Sequence, residues 1–161
     1  MMSARLQADP ATEQGCLEPI RAAHQRLDEQ LRDYALLAGV PAAATDRQGL
    51  IARVGACLHA LVMLKEELLY PQLEPLVGAA LMAALRSDHR RMERGLKALA
   101  AGVGDDVATD LQMAQLAEVI RAHIALEEER LFPSVAAVDS AELAAAMAVR
   151  RAELRGERSP D

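Results

Sequence analysis

The chain has 161 residues, enough for one domain with a substantial core, and its net charge of −6 argues against nucleic acid or an anionic membrane surface as a partner. Ala, Leu, Glu and Arg dominate, aromatic residues are scarce, and we find no apolar run near the roughly 20 residues that span a bilayer. This composition predicts an all-α domain. The two cysteines, Cys16 and Cys57, lie far apart without a CxxC spacing, which favours free thiols in a reducing cytoplasm.

Two long amphipathic segments come first in the chain. Residues 14–38 form the first, and the loop AGVPAAATD ends it. Residues 46–70 form the second, with Asp46 as the expected N-cap and an end before Pro71. Their inward faces advance in steps of three and four residues and consist of Leu17, Ile20, His24, Leu27, Leu31 and Tyr34, and of Ile51, Val54, Leu58, Leu61, Lys65 and Leu68.

Three further segments follow, at residues 78–101, 109–131 and 140–155. The fourth segment is expected to stop before Pro133, and the shorter fifth begins at Asp139–Ser140. The inward faces of the third and fourth segments consist of Met82, Leu85, His89, Met92, Leu96 and Leu99, and of Met113, Leu116, Ile120, His123, Glu127 and Leu131.

Short loops between long helices favour antiparallel neighbours. We therefore predict an antiparallel up-down-up-down four-helix bundle with a short C-terminal fifth helix. The folded domain is expected to cover residues 14–155, between flexible tails at 1–13 and 156–161.

The chain contains an internal repeat. HIALEEERLFP (residues 123–133) overlays LVMLKEELLYP (residues 61–71) after a shift of 62 residues. A shift of 65 residues overlays the first segment on the third and pairs His24 with His89. The repeat indicates a doubled helical hairpin in which Leu61 and Lys65 stand where the second copy has His123 and Glu127.

The histidines and Glu127 form a pattern that is typical of metal sites. Residues four apart lie on one face of a helix, so His123 and Glu127 can offer an imidazole and a carboxylate to one point. His24 and His89 are expected in the same layer. Imidazole and carboxylate together suit iron, manganese or zinc.

These features resemble the hemerythrin-like family, the HHE cation-binding domains. The resemblance covers about residues 17–151 and is carried by His24, His89, HIALE, the helix ends EEERLFP and KEELLYP, and the tail helix AAAMAVRR. It implies an antiparallel four-helix bundle around a di-iron centre, with histidines capping each iron and two carboxylates bridging them. Members of the family bind oxygen, sense oxygen, redox state or nitric oxide, or handle iron.

Carried over position by position, the resemblance gives His24, His89, His123 and Glu127 as metal ligands. It adds Glu93, four residues after His89, where some members place another ligand. Asp28, four residues after His24, is the weaker analogue.

The chain departs from the family pattern at Leu61 and Lys65, where the family has His and Glu. His59 lies nearby, but two residues along a helix is about 200° around it, so only a local π-bulge would return His59 to the site. We expect His59 on the surface or at a helix interface. For Lys65 we hypothesise that its ammonium substitutes for the charge of a second metal and pairs with Glu127 or Glu93. The alternative is that Lys65 extends out of the bundle end.

The leading functional prediction is a metal-binding bundle with an incomplete di-iron site that serves sensing, storage or redox response, with dioxygen or nitric oxide as further ligands. The metal content stays open: the site could hold one or two iron ions, another divalent cation, or no metal. The alternative is a metal-free interaction or regulatory module, as a homodimer or with a protein partner. An oxidoreductase or iron-repair role ranks last because it normally needs two metals, and we expect no catalysis.

Overall fold

The computed structural model describes residues 15–102 and 105–157, and every regular element in these ranges is helical, which confirms the all-α prediction. The predicted N-terminal tail lies outside the described residues, as do residues 158–161 of the predicted C-terminal tail. The five main helices are α1 (Leu17–Leu37), α2 (Ala44–Leu64), α3 (Ala79–Ala100), α4 (Asp106–Leu126) and α5 (Ala141–Gly156).

Helices α2 and α4 both continue through a five-residue π-helical segment, Lys65–Leu69 in one and Glu127–Leu131 in the other. The α2 extension, Tyr70–Val77, is again α-helical, and a 3₁₀ segment, Phe132–Ala137, follows α4. The prediction that helical structure stops before the two prolines is therefore wrong. Each proline lies in the first turn of the segment that follows the π-helix, where a missing N–H costs little.

Two of the helix starts, those of α4 and α5, are set by side-chain hydrogen bonds. Helix α2 begins at Ala44, directly after the 3₁₀ turn Pro41–Ala43, so the prediction of Asp46 as its N-cap is wrong and Asp46 lies in the first turn. The Asp105 carboxylate caps α4 by accepting from the Ala108 N–H at 2.8 Å. The Ser140 hydroxyl accepts from the Leu143 N–H at 3.1 Å and caps α5.

Helix α1 packs on α2 and α4, α3 packs on α4 and on the α2 extension, and α5 packs on α2 and its π-helical segment. The apolar side chains between these helices form one core. A few buried side chains are polar: Arg47, His24, Lys65, His89, His123 and Glu127. Arg47 stands apart from the others, since its guanidinium donates to the carbonyl oxygens of Leu37 and Val40 and fastens the loop after α1.

The continuous helical stretch Pro41–Val77 is long and apolar enough to cross a membrane by length and composition alone. The same properties belong to helices that pass through a protein core. Leu50, Val54 and Leu58 of this stretch are buried in the core.

Candidate metal centre

Six buried polar side chains meet in one layer of the core, and each is at most 6% exposed. We refer to them as the polar cluster: His24, Lys65, Tyr70, His89, His123 and Glu127. Helices α1, α3 and α4 each contribute one histidine. The other three residues come from the π-helical segments or directly follow one. The four-residue spacing brings His123 Nε2 to 3.1 Å from Glu127 Oε1, as the helical pattern predicts.

Lys65 lies at the centre of the polar cluster. Its ammonium donates to Glu127 Oε1 at 2.5 Å and lies 3.0 Å from His24 Nε2. The predicted pairing of Lys65 with Glu127 or Glu93 is thus confirmed for Glu127, and the alternative of a lysine that extends out of the bundle end is wrong, since Lys65 is buried. Because an ammonium has only donors, His24 Nε2 accepts this hydrogen bond, and the His24 proton lies on Nδ1.

Tyr70 belongs to the cluster although the sequence reasoning did not identify it. Its hydroxyl donates to Glu127 Oε2 at 2.9 Å and lies 3.3 Å from His89 Nε2, and its ring stacks on His89 with centroids 5.4 Å apart. The repeat contained a signal for it, because the 62-residue shift aligns Tyr70 with Phe132. The two aromatic residues differ only by the Tyr70 hydroxyl.

His89 and His123 face each other through their Nε2 atoms, which are 3.1 Å apart. Carboxylates hold the opposite ring nitrogens: Glu66 lies 2.7 Å from His89 Nδ1, and Asp88 lies 3.2 Å from His123 Nδ1. An ionised carboxylate only accepts, so each Nδ1 donates to its carboxylate and the two Nε2 atoms are left facing each other. This close approach is favourable only with a proton or another cation between the two nitrogens.

The electrostatics of the cluster follow from burial and from Lys65. Burial and the Lys65 ammonium lower the pKa of His24 to about 3, and burial is the main cause of the lowered pKa of His89. Burial alone would raise the pKa of Glu127, but the ammonium and the hydrogen bond with His123 hold it well below its usual value. Burial raises the pKa of Tyr70. At neutral pH, Glu127 is therefore ionised while His24, His89 and Tyr70 are uncharged.

The remaining sequence candidates lie outside the cluster. Glu93 is exposed on α3, so the structure does not bring this predicted ligand to the site. Asp28 pairs with Arg32 and Arg121 at 2.7 and 3.1 Å on the surface. His59 is exposed, as expected, because the π-helical segment of α2 begins six residues later and does not turn it inward.

Within residues 15–102 and 105–157, no three His, Cys, Asp or Glu side chains are arranged as a group that could hold a metal ion. The contacts of the cluster explain this finding. The Lys65 ammonium and the Tyr70 hydroxyl lie among the histidines and Glu127, so the candidate ligands contact these donors and one another. Of the residues predicted as ligands, the structure brings together His24, His89, His123 and Glu127.

One comparison with known proteins identifies a family. Residues 17–135 match the model of the hemerythrin HHE cation-binding domain. No curated protein and no solved structure matches the chain. The matched range includes all six members of the polar cluster and both π-helical segments, and it covers well over half of the sequence. The chain belongs to the hemerythrin HHE cation-binding domain family.

Proposed function

We propose that the chain is an antiparallel four-helix bundle that holds one divalent transition-metal ion at His89, His123 and Glu127, with Lys65 in the place of a second ion. The observation that carries this proposal is the 3.1 Å approach of two imidazole nitrogens whose opposite nitrogens are both held by carboxylates. That arrangement needs a positive centre between the rings.

By chemical type these donors suit a single metal ion, although the described residues do not form a ready-made metal-binding group in their present arrangement. Two imidazole nitrogens and one carboxylate suit iron, manganese or zinc, and the Tyr70 hydroxyl is a further oxygen beside them. Contacts of 3.1 Å between donor atoms are close to the spacing of neighbouring ligands around an ion with bonds of about 2.1 Å. Glu66 and Asp88 would orient the two histidines from behind, as outer carboxylates do at many metal sites.

In this proposal Lys65 keeps the partial site electrically balanced. A buried carboxylate without a positive partner is very unfavourable, and the ammonium at 2.5 Å provides one. His24 then serves as the hydrogen-bond acceptor of Lys65 and not as a metal ligand. An incomplete di-iron site of this kind retains one ion position and loses the other.

The role that this site supports best is sensing, storage or redox response in the cytoplasm. An iron ion bound there supplies one-electron redox chemistry. The chain's own residues hold the ion in a buried layer, keep Glu127 ionised and separate it from bulk water. Reversible oxygen binding between two irons has no support from this set of side chains, whereas dioxygen or nitric oxide as a ligand of one ion stays within the proposal.

A second candidate function is a metal-free interaction or regulatory module. The observation that favours it is the closed contact of Lys65, Tyr70 and Glu127, which neutralises the buried carboxylate without any metal. A single proton shared by His89 and His123 would then complete the cluster.

Metal loading tests the two candidates against each other. The chelator-treated chain is incubated with Fe²⁺ or Zn²⁺ without oxygen, desalted and analysed for metal. We expect one ion per chain, loss of that ion in His123→Ala, and no loss in the matched control His59→Ala, whose imidazole is exposed. No bound ion under any condition supports the metal-free module, and two ions per chain would overturn the role given to Lys65.

A gain-of-site variant tests the repeat directly. Leu61→His with Lys65→Glu restores both family residues in the first copy, and we expect it to raise the metal content from one ion to two. Leu61→His alone is the control, because Lys65 remains and the content should stay at one. An unchanged content in the paired variant, in a chain that still folds by circular dichroism, would contradict the proposed position of the second ion.

A further inference from the structure

A groove of about 300 Å³ lies outside the polar cluster, between α1, α2 and α5. Its floor is apolar and consists mainly of Ala23, Ala60, Leu61 and Leu64. Leu61 is the position at which the repeat has a histidine, so this replacement turns a polar position into part of an apolar wall.

Four arginines surround this groove: Arg26 on α1, Arg53 on α2, and Arg151 and Arg155 on α5. None of them has an ion-pair or hydrogen-bond partner within the described part of the chain, whereas several other arginines of the protein are paired with carboxylates: Arg21, Arg32, Arg86, Arg121 and Arg150. Four like charges around one groove are unusual in a chain of net charge −6. They form a local positive field that attracts an anion.

Helix α5, which forms one side of the groove, is held in place by a contact with α2. Arg150 donates to Glu67 at 2.8 Å and ties α5 to the π-helical segment of α2. This contact positions Arg151 and Arg155 of the same helix beside the groove.

We propose that this groove binds a small anionic amphiphile, with an apolar chain on the alanine and leucine floor and a carboxylate or phosphate head group among the arginines. The guanidinium fork matches the planar geometry of carboxylates and the oxygens of phosphates. The volume lies at the lower end of ordinary ligand pockets, which fits a short chain. This site is independent of any metal at the polar cluster.

Calorimetric titration of the full chain with four eight-carbon probes tests the ligand class. Octyl phosphate and octanoate are expected to bind, and the tighter of the two identifies the head group. Octanol and octyltrimethylammonium are expected not to bind. Octanol binding as tightly as the anions would overturn the role of the arginines, inorganic phosphate binding as tightly as octyl phosphate would overturn the role of the floor, and no binding by either amphiphilic anion would overturn the proposal.

Variants locate the site. Arg53→Gln with Arg151→Gln should weaken binding of the anions by roughly tenfold or more, while the matched control Arg90→Gln, an exposed arginine on α3, should leave it unchanged. Ala60→Leu should also weaken binding, since the larger side chain fills the floor. Cys57 lines the groove, so bound ligand should slow its alkylation by the neutral reagent iodoacetamide. Equal affinities in the arginine pair variant and in Arg90→Gln would place the anion elsewhere and contradict the proposal.

Discussion

The π-helical segments Lys65–Leu69 and Glu127–Leu131 begin 62 residues apart, and each is followed directly by an aromatic residue and a proline. Their first residues meet at the centre of the molecule, where the Lys65 ammonium lies 2.5 Å from Glu127 Oε1. The same backbone distortion therefore occurs with a lysine in one copy and a glutamate in the other. The comparison teaches that the helix geometry of this repeat does not depend on keeping the residues predicted as metal ligands.

The two copies also share their ring contacts. Tyr70 stacks on His89 with centroids 5.4 Å apart, and its counterpart Phe132 stacks on His24 at 6.1 Å. What differs is the polar chemistry: the first copy supplies an ammonium and a hydroxyl, and the second supplies an imidazole and a carboxylate. The two copies thus share helix geometry and ring packing but differ in charge. The donors of the first copy, Lys65 and Tyr70, bond the Glu127 carboxylate of the second.

Breaking the contact between the two π-helical segments should give the largest effect. Glu127→Leu leaves the Lys65 ammonium buried without its carboxylate, and we expect a loss of about 3–5 kcal/mol in the free energy of unfolding. Urea denaturation of the chelator-treated chain followed by circular dichroism measures this loss.

The paired variant Lys65→Met with Glu127→Leu is the control. It removes both charges from the core, so it should recover most of the stability lost in Glu127→Leu. If the single and paired variants are equally destabilised, the ion pair is not what makes the two segments complementary.

Making the two aromatic positions alike should give a smaller effect. Tyr70→Phe copies Phe132 into the first half and removes the hydroxyl that donates to Glu127 Oε2. We expect a loss of about 1–3 kcal/mol in the free energy of unfolding, because Glu127 is fully buried and that oxygen loses its donor. Tyr34→Phe is the matched control, since its hydroxyl bonds Asp110 in another part of the molecule. Metal content should fall in Tyr70→Phe and not in Tyr34→Phe. Unchanged metal content in Tyr70→Phe would mean that the Tyr70 hydroxyl does not contribute to the proposed metal site.

Much of this comparison could be predicted from the sequence. Helical spacing placed His24, His89, His123 and Glu127 on inward faces, and the repeat located Lys65 opposite a carboxylate. The continuation of helical structure past the prolines could not be predicted, because the π-helical segments that allow it have no single-residue signal.

Two site assignments depended on direction around a helix and not on spacing alone. Glu93 follows His89 by four residues, as Glu127 follows His123, yet Glu93 is exposed and Glu127 is buried. Glu127 begins a π-helical segment and pairs with Lys65, whereas Glu93 lies in a regular α-helix and forms no ion pair with another described residue. Tyr70 was missed because a tyrosine at a helix end is ordinarily a core aromatic. Its polar role depends on the position of Glu127 in three dimensions.

The smallest expected effect concerns Glu66 and Glu128, the equivalent carboxylates outside the polar cluster, which have different partners in the two copies. Glu66 lies 2.7 Å from His89 Nδ1, but its repeat counterpart Glu128 pairs with Arg21 at 2.9 Å, and the buried His24 Nδ1 has no hydrogen-bond partner among the described residues. Because Lys65 donates to His24 Nε2, the unpartnered Nδ1 carries a proton that has no acceptor. Because Glu128 pairs with Arg21, it does not accept from His24 Nδ1 as Glu66 accepts from His89 Nδ1.

Arg21→Leu should release Glu128 to accept from His24 Nδ1, as Glu66 does from His89. The variant loses an exposed ion pair of about 0–1 kcal/mol and gains a hydrogen bond for a buried donor, so its free energy of unfolding should change little or rise. Arg86→Leu is the matched control, because Arg86 is the repeat counterpart of Arg21 but pairs with Glu74, whose release offers nothing to a histidine. Nitrogen-15 NMR of His24 should detect the new hydrogen bond at Nδ1 in Arg21→Leu and not in Arg86→Leu. An unchanged His24 spectrum in both variants would mean that Glu128 does not accept from His24 Nδ1 even when Arg21 is removed. The carboxylate contact that holds His89 would then have no equivalent at His24.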